Sequence, residues 1–278
     1  SLPGAAASLI QTVTAAGQLD GVVVAHGVVA FGPVAELDSQ TLGTLQALNQ
    51  TSPIELITSA IPALLASKAA GREPFVLTIS GVIADMPTAG MAAYGASKAR
   101  AEELVTASSF DWTILRPPGV YGPGDTEVLE MFKMAAMGFC LLPPEGRSSW
   151  IHVDDLARLL ISLLPQRDDV AARLLEADDG RAEGWEHRHF AKAIGSALER
   201  SIATFSAPRP LLFAAAWGDR LVRGTNAKLT PDRASYMSHP DWVIDRTKAP
   251  PASLWEPQID TVEGLKTTAL WYKAQGWL

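Results

Sequence analysis

The sequence predicts an α/β protein: an open parallel sheet with helices on both faces, then a smaller C-terminal lobe. Three observations predict it. Short continuous apolar runs of strand length alternate with longer helical patterns through the first half. Turn residues or prolines bound these runs, as buried parallel strands require. The rhythm breaks in the second half, where short apolar runs and loops replace it. Strand, helix, strand, helix, strand at this spacing implies right-handed crossovers.

Taken in order, Ala5-Ala6-Ala7-Ser8-Leu9-Ile10 reads as plain helix. Gly21-Val22-Val23-Val24-Ala25 follows a turn-like Gly17-Gln18-Leu19-Asp20 and reads as a buried strand. Ser39 to Ala66 carries Leu42, Leu45, Leu48, Ile54, Ile57, Ile61 and Leu64 at helical spacings, with Pro53 and Pro62 predicting a kink. Pro74 to Ser80 is the second strand, Ala92 to Ala107 the second helix, and Asp111 to Arg116 the third strand, stopped by Pro117-Pro118. Pro143-Pro144-Glu145-Gly146 is a loop and Trp150 to Val153 a short strand. Asp154 or Asp155 then reads as N-cap of a helix from Leu156 to Leu164. Leu174 to Ala177 adds a last strand, and about 184 to 255 reads as mixed helices and loops. The predicted boundaries are residues 1–183 for the sheet domain, with a lobe insertion near 122–149, and 184–278 for the C-terminal lobe and tail.

Composition narrows the function. The 278 residues are 47% apolar and 19% charged, which excludes a disordered chain. Cys140 is the single cysteine, which excludes a disulfide scaffold and fits a reducing, cytoplasmic compartment. The net charge is −7 without a basic tract, which argues against a nucleic-acid partner. No apolar run reaches the roughly 20 residues that span a bilayer, so no membrane partner is expected. Residue 1 is Ser, and Ser1-Leu2-Pro3-Gly4 fits the interior of a longer gene.

The chemistry centres on Tyr94-Gly95-Ala96-Ser97-Lys98. Residues i and i+4 share one helix face. An ammonium beside a phenol favours the phenolate, and a tyrosine so tuned can act as general acid or base. Alone, the pair is equally an accident of an amphipathic helix.

Leu19-Asp20-Gly21-Val22-Val23-Val24-Ala25-His26-Gly27-Val28-Val29, Asn49, Ile79-Ser80 and Tyr94-x-x-x-Lys98 follow one another as they do in the short-chain dehydrogenase/reductase family, which residues 18 to 107 resemble in its short form. From about Tyr94 onward the chain resembles the extended form, the epimerase/dehydratase group. It does so through Arg116-Pro117-Pro118-Gly119-Val120-Tyr121-Gly122-Pro123-Gly124-Asp125, Trp150-Ile151-His152-Val153-Asp154-Asp155 and the ending from Gly264-Leu265 to Leu278. The resemblance implies a Rossmann-like sheet and NAD or NADP as cofactor. It makes Tyr94, Lys98, Ser80 and Asn49 catalytic: Tyr94 moves the proton, Lys98 lowers its pKa and holds the nicotinamide ribose, Ser80 steadies the substrate oxygen, and Asn49 anchors a relay water. Ala25, Gly27, Ile79, Pro117, Gly119 and Val120 join Tyr94 and Lys98 at the cofactor, and Ser80 and Tyr121 meet the substrate. Ser80 stands one residue further from the tyrosine than the family's serine, with Gly81 in between, and Ala25 replaces the family's asparagine.

The fold the family builds opens with a strand, a Gly-rich turn and a helix. No such unit precedes Gly21, so the sheet is expected to lack its N-terminal strands and its pyrophosphate cradle. Its first strand becomes an unpaired edge prone to association, and coenzyme binding is expected to be weak. Gly119-x-x-Gly122-x-Gly124 is no substitute: Pro123 has no N–H to give, and Asp125 and Glu127 repel an anion. The function implied is NAD(P)-dependent oxidation or reduction, epimerisation or dehydration of a carbonyl/alcohol pair. A small-molecule substrate and a homodimer are the expected partners. The alternatives are a non-catalytic binding or assembly protein, and a fragment completed by another chain.

Lesser candidates have plainer explanations. His187 and His189, two apart, do not face each other as metal ligands would, so no metal is expected. Arg147 is a candidate for an anionic substrate, although the extended form places its arginine at what is Ser148. His26 reads as a turn histidine that can reach the cofactor, and Cys140 as a buried, inert thiol.

Overall fold

The computed structural model describes residues 4–32, 37–85, 88, 90–107, 111–164, 168–224, 227 and 229–278. Ser1, Leu2 and Pro3 lie outside them. The elements in the first part of the chain are α1 (Ala5–Ala16), β1 (Gly21–Val24), α2 (Ser39–Gln46), α3 (Ser52–Ala69), β2 (Phe75–Ile79), α4 (Ala92–Thr106) and β3 (Asp111–Arg116). There follow β4 (Gly119–Tyr121), α5 (Glu127–Ala136), β5 (Phe139–Leu142), β6 (Arg147–Ser148), β7 (Trp150–His152), α6 (Val153–Ser162) and β8 (Arg173–Glu176). The last are β9 (Trp185–Glu186), α7 (His187–Ala197), β10 (Ala203–Ser206), α8 (Arg209–Arg223), α9 (Pro231–Met237), β11 (Asp241–Trp242) and α10 (Thr261–Ala274). The chain forms two compact units, residues 1–116 with 160–175, and residues 117–159 with 176–278.

The first unit is built on a sheet of order β1-β2-β3-β8, in which β1 pairs parallel with β2 and β2 parallel with β3. Among the described residues β2 is the sole sheet neighbour of β1, which is thus an edge strand. Val22, Val24, Val76 and Ile114 of the strands pack with Ile57, Ala60 and Leu64 of α3 and Ile10 of α1. β2 and β3 are buried on both faces, as strands inside a parallel sheet are, whereas the edge strand β1 leaves Val23 40% exposed.

The predicted kink in the long helix takes a specific form. α2 and α3 join through a π-helical turn at Ala47–Thr51, where the Ser52 N–H donates to the Ala47 carbonyl. Pro53 sits in the first turn of α3 and has no N–H for the Asn49 carbonyl, so the ladder changes step just before it. Asp38 caps α2, its carboxylate accepting the Thr41 N–H at 2.7 Å.

In the second unit α5, α7 and α10 share one core, with Phe132, Phe190, Ile194, Leu265 and Tyr272 buried in it. Short strands bind its loops: β4 pairs with β7 and β5 with β10, both parallel, and β6 lies between β11 and β9. The expected cap at Asp154 or Asp155 is corrected. The helix starts at Val153, and Asp155 lies inside it, 1% exposed. Its carboxylate accepts the Gln258 N–H at 3.1 Å and the Ile259 N–H at 3.0 Å, so it anchors a distant loop instead.

Candidate active site

The loop after β1 carries Ala25 and Gly27, and the start of α4 carries Tyr94 and Lys98. Asn49, on the π turn, is buried, and its amide clamps this loop. Oδ1 accepts the Val28 N–H at 2.8 Å, and Nδ2 donates to the Val28 carbonyl at 2.8 Å and to Ser97 Oγ at 2.9 Å. Ser97 Oγ in turn donates to the Tyr94 carbonyl at 2.7 Å. A hydrogen-bonded line thus runs from the loop backbone through Asn49 and Ser97 to the first turn of α4. Ser97 was not singled out in the sequence. Its place three residues after Tyr94, on the same helix face, is the one signal that could have found it.

Gly27 explains itself by close approach. A Cβ there would lie 2.9 Å from Lys98 Nζ and 3.0 Å from Asn49 Oδ1. The ammonium of Lys98 is therefore directed at the backbone of the loop Ala25-His26-Gly27, which is exposed. Lys98 Nζ lies 5.9 Å from the centre of the Tyr94 ring.

The electrostatics correct one expectation. Burial raises the Tyr94 phenol above its ordinary pKa, and Lys98 does not pull it down. The ammonium lies over the ring, and the loss of water around the phenol dominates. Burial also lowers the Lys98 pKa, with Glu102 opposing. Burial and the Lys98 charge together lower the His26 pKa.

Ser80 ends β2. Its N–H donates to the Leu115 carbonyl at 2.8 Å, whereas its buried Oγ has no hydrogen-bond partner among the described residues. Thr78 Oγ1, on the same strand, is likewise buried without one. Ile79, the other expected residue here, is half-buried. Arg116, the last residue of β3, is buried between two carboxylates. It donates to Glu102 of α4 through Nε at 2.8 Å and Nη2 at 2.5 Å, and grips Asp85 with Nη1 and Nη2. This network ties α4 to β3 and so positions the helix that bears Tyr94 and Lys98.

Pro117, Gly119, Val120 and Tyr121 belong to the second unit. The glycine at 119 is needed by packing, since a Cβ would lie 2.5 Å from the Trp150 ring. Tyr121, expected at the substrate, is 0% exposed. Its ring packs edge-on against His152 and Phe190, and its hydroxyl points to the Thr261 carbonyl at 3.5 Å. It is a core residue of its unit.

The second unit also holds a cavity of about 580 Å³ lined by Glu145, Arg147, Glu186, His187, His189 and Lys192, among others. Arg147 is already engaged by Glu183 at 2.7 Å and Asp241 at 3.3 Å. His187 Nδ1 lies 3.3 Å from the Pro144 carbonyl, and burial lowers its pKa. No metal-ligand cluster occurs among the described residues. Cys140 is buried, and burial pushes its pKa up to about 11.

The family model for short chain dehydrogenases matches residues 4–115, ending where the Arg116-Pro117 segment begins. A ceramide reductase of Caulobacter vibrioides is 32% identical over 264 residues, covering 92% of this chain and 77% of that protein. Among solved structures, UDP-glucuronic acid 4-epimerase from Bacillus cereus, in complex with UDP-glucuronic acid and NAD, superposes with a TM-score of 0.66. It is 14% identical, over 99% of this chain and 80% of that one. The Bordetella bronchiseptica enzyme WbmG in complex with NAD gives a TM-score of 0.65 at 16% identity, over 98% of this chain and 77% of that one. The two structures share the Rossmann-like α/β fold with this chain. With the ceramide reductase matched along most of both sequences, the chain belongs to the short-chain dehydrogenase/reductase superfamily.

Proposed function

We propose that this protein is an NAD(P)-dependent reductase of a carbonyl group, with Tyr94 as proton donor. The single observation that carries the reading is the Lys98 ammonium, buried and directed at the Gly27 backbone, one helical turn after Tyr94. The similarity to a ceramide reductase supports the reducing direction and a lipid carbonyl as substrate class.

The residues present fit a nicotinamide and its ribose. Lys98 has the donors a ribose hydroxyl pair needs, beside an exposed loop backbone. The unpartnered Ser80 hydroxyl is a buried donor awaiting an acceptor such as a substrate oxygen. The nicotinamide coenzyme supplies the hydride. Tyr94 gives its proton to the oxygen that the reduction leaves behind, and its raised pKa keeps it protonated for that task. Lys98 would hold the ribose, and its ammonium over the ring stabilises the phenolate once the proton has left. Asn49 and Ser97 position the first turn of α4, and Ser80 orients the substrate oxygen. Ala25, Gly27 and Ile79 would line the coenzyme.

A second reading, a non-catalytic binding protein, is favoured by Ser80 standing one residue further from Tyr94 than the family's serine, with Gly81 in between. Titration of NADH and NADPH up to millimolar levels, followed by nicotinamide fluorescence, separates the two. Binding that weakens in Lys98→Ala, with turnover of a keto-lipid lost in Tyr94→Phe, supports the reductase. Retained turnover in Tyr94→Phe refutes the proton role, and absence of binding leaves the non-catalytic reading.

A further inference from the structure

We propose that α8 seats the protein on the surface of an anionic membrane. This rests on the helix itself and is independent of the coenzyme and substrate assigned above. α8 runs for 15 residues and buries only Leu212 and Ala216, one turn apart, against Ala234 of α9 and neighbouring residues. The opposite face is apolar and bare. Leu211 is 60% exposed, Trp217 56%, Leu221 85% and Val222 84%. At 100° per residue these four, with exposed Ala214 and Ala215, fill one continuous arc that no charged residue interrupts.

A solvated helix keeps polar residues on that arc. Here the charges lie at its borders and toward the protein, and they are Arg209, Arg220, Arg223 and a single acid, Asp219. Asp219 is spent within the protein, accepting the Leu229 N–H at 2.8 Å and pairing with Arg223 at 3.2 Å. The helix thus carries three arginines against one acid, a local positive excess on a chain of net charge −7. Arg220 lies 5.9 Å from the Trp217 ring at the margin of the apolar arc. Arginine, tryptophan and leucine divided in this way between two faces are the pattern of a helix lying in the lipid headgroup region.

Three residues upstream, the β5–β10 ribbon adds to the apolar surface of this unit. Leu141 and Phe205 are register partners on one face of it, each 56% exposed. A second copy of the chain is a poorer occupant, because a two-fold contact through α8 would bring a helix of positive excess against its own image. Anionic headgroups complement it. No described helix is long and apolar enough to cross a membrane. A helix that lies on the surface needs no such length.

The test is flotation of the full chain with vesicles of phosphatidylcholine alone, and with about 30% phosphatidylglycerol added. Binding is expected to the anionic vesicles and to fall as salt screens the headgroups. Leu221→Glu/Val222→Glu alters two nearly fully exposed side chains, so its fold is retained, as circular dichroism will report. It should lower the partition coefficient by roughly tenfold or more. Arg209→Gln/Arg220→Gln should lower it roughly fivefold per charge on anionic vesicles and leave phosphatidylcholine unaffected. Equal binding to both vesicle types, no binding to either, or unchanged binding by the folded Glu double variant each overturns the proposal. So does a dimer in sedimentation that this variant splits while vesicle binding stays absent, which would make the face a contact between copies.

Discussion

Replacing Asn49 by alanine tests whether one side chain holds the loop after β1 against α4. The amide is 1% exposed and makes three hydrogen bonds, at 2.8, 2.8 and 2.9 Å. Alanine removes all three. Val28 is half-buried, so water can partly replace the lost partner of its N–H and carbonyl. Each of these groups then costs about 1 kcal/mol rather than the roughly 3 kcal/mol of a fully buried orphan. The Ser97 contact adds about 1 kcal/mol. Alanine is the better helix former by up to about 0.7 kcal/mol, which opposes the loss. The net expectation is a first unit less stable by about 2–3 kcal/mol. Native-state hydrogen exchange reads this segment by segment. The slowest amides of β2, β3 and α4 should exchange roughly 30- to 150-fold faster in Asn49→Ala. Unchanged protection there would refute the view that Asn49 clamps the loop.

Three further outcomes follow from buried groups. Glu102→Gln should cost about 3 kcal/mol in urea titration by leaving Arg116 half-paired, and combining it with Arg116→Met should cost less than the sum of the two single changes. Strict additivity would show that the pair is not coupled. Cys140, 0% exposed with its pKa pushed up to about 11, should resist thiol reagents in the native protein and react on unfolding; rapid native labelling would contradict its burial. Burial raises the Tyr94, Tyr121 and Tyr272 phenols, so above pH 10 the unfolded chain releases protons that the folded chain keeps. Stability should therefore fall as pH climbs past about 10, and a melting temperature flat from about pH 9 to 11 would contradict it.

What the sequence makes legible here is what local pattern controls. Asp111–Arg116 is a strand at its expected bounds, and β1 ends one residue short of its apolar run, because short segments rich in β-branched and aromatic residues read as strands directly. The Tyr94/Lys98 pair is legible as geometry, since helical spacing alone puts the two on one face. Its electrostatics are not, because the phenol's pKa depends on how much water the folded chain removes. Asp155 reads locally as a cap, and only the fold brings Gln258 and Ile259 to its carboxylate. The β5–β10 pairing joins strands that each keep one face exposed, and neither shows a buried run. Tyr121 looks like a site residue in its motif, yet the partners that enclose it come from three distant segments.

One helix face reconciles the structural and the chemical roles of α4. Tyr94, Lys98 and Glu102 follow at intervals of four and so line a single side of it. Glu102 lends its charge to two cations. Arg116 takes both its oxygens in a bidentate grip, which locks the helix to β3. Lys98 feels it only as a field, enough to oppose the burial that would discharge the ammonium. Because Arg116 already holds the carboxylate, Lys98 is not drawn down into the same ion pair, and its Nζ reaches instead toward Gly27. The buried Arg116–Glu102 pair thus does more than fasten an element. Its carboxylate opposes the loss of the Lys98 charge to burial, while burial alone raises the Tyr94 phenol one turn earlier.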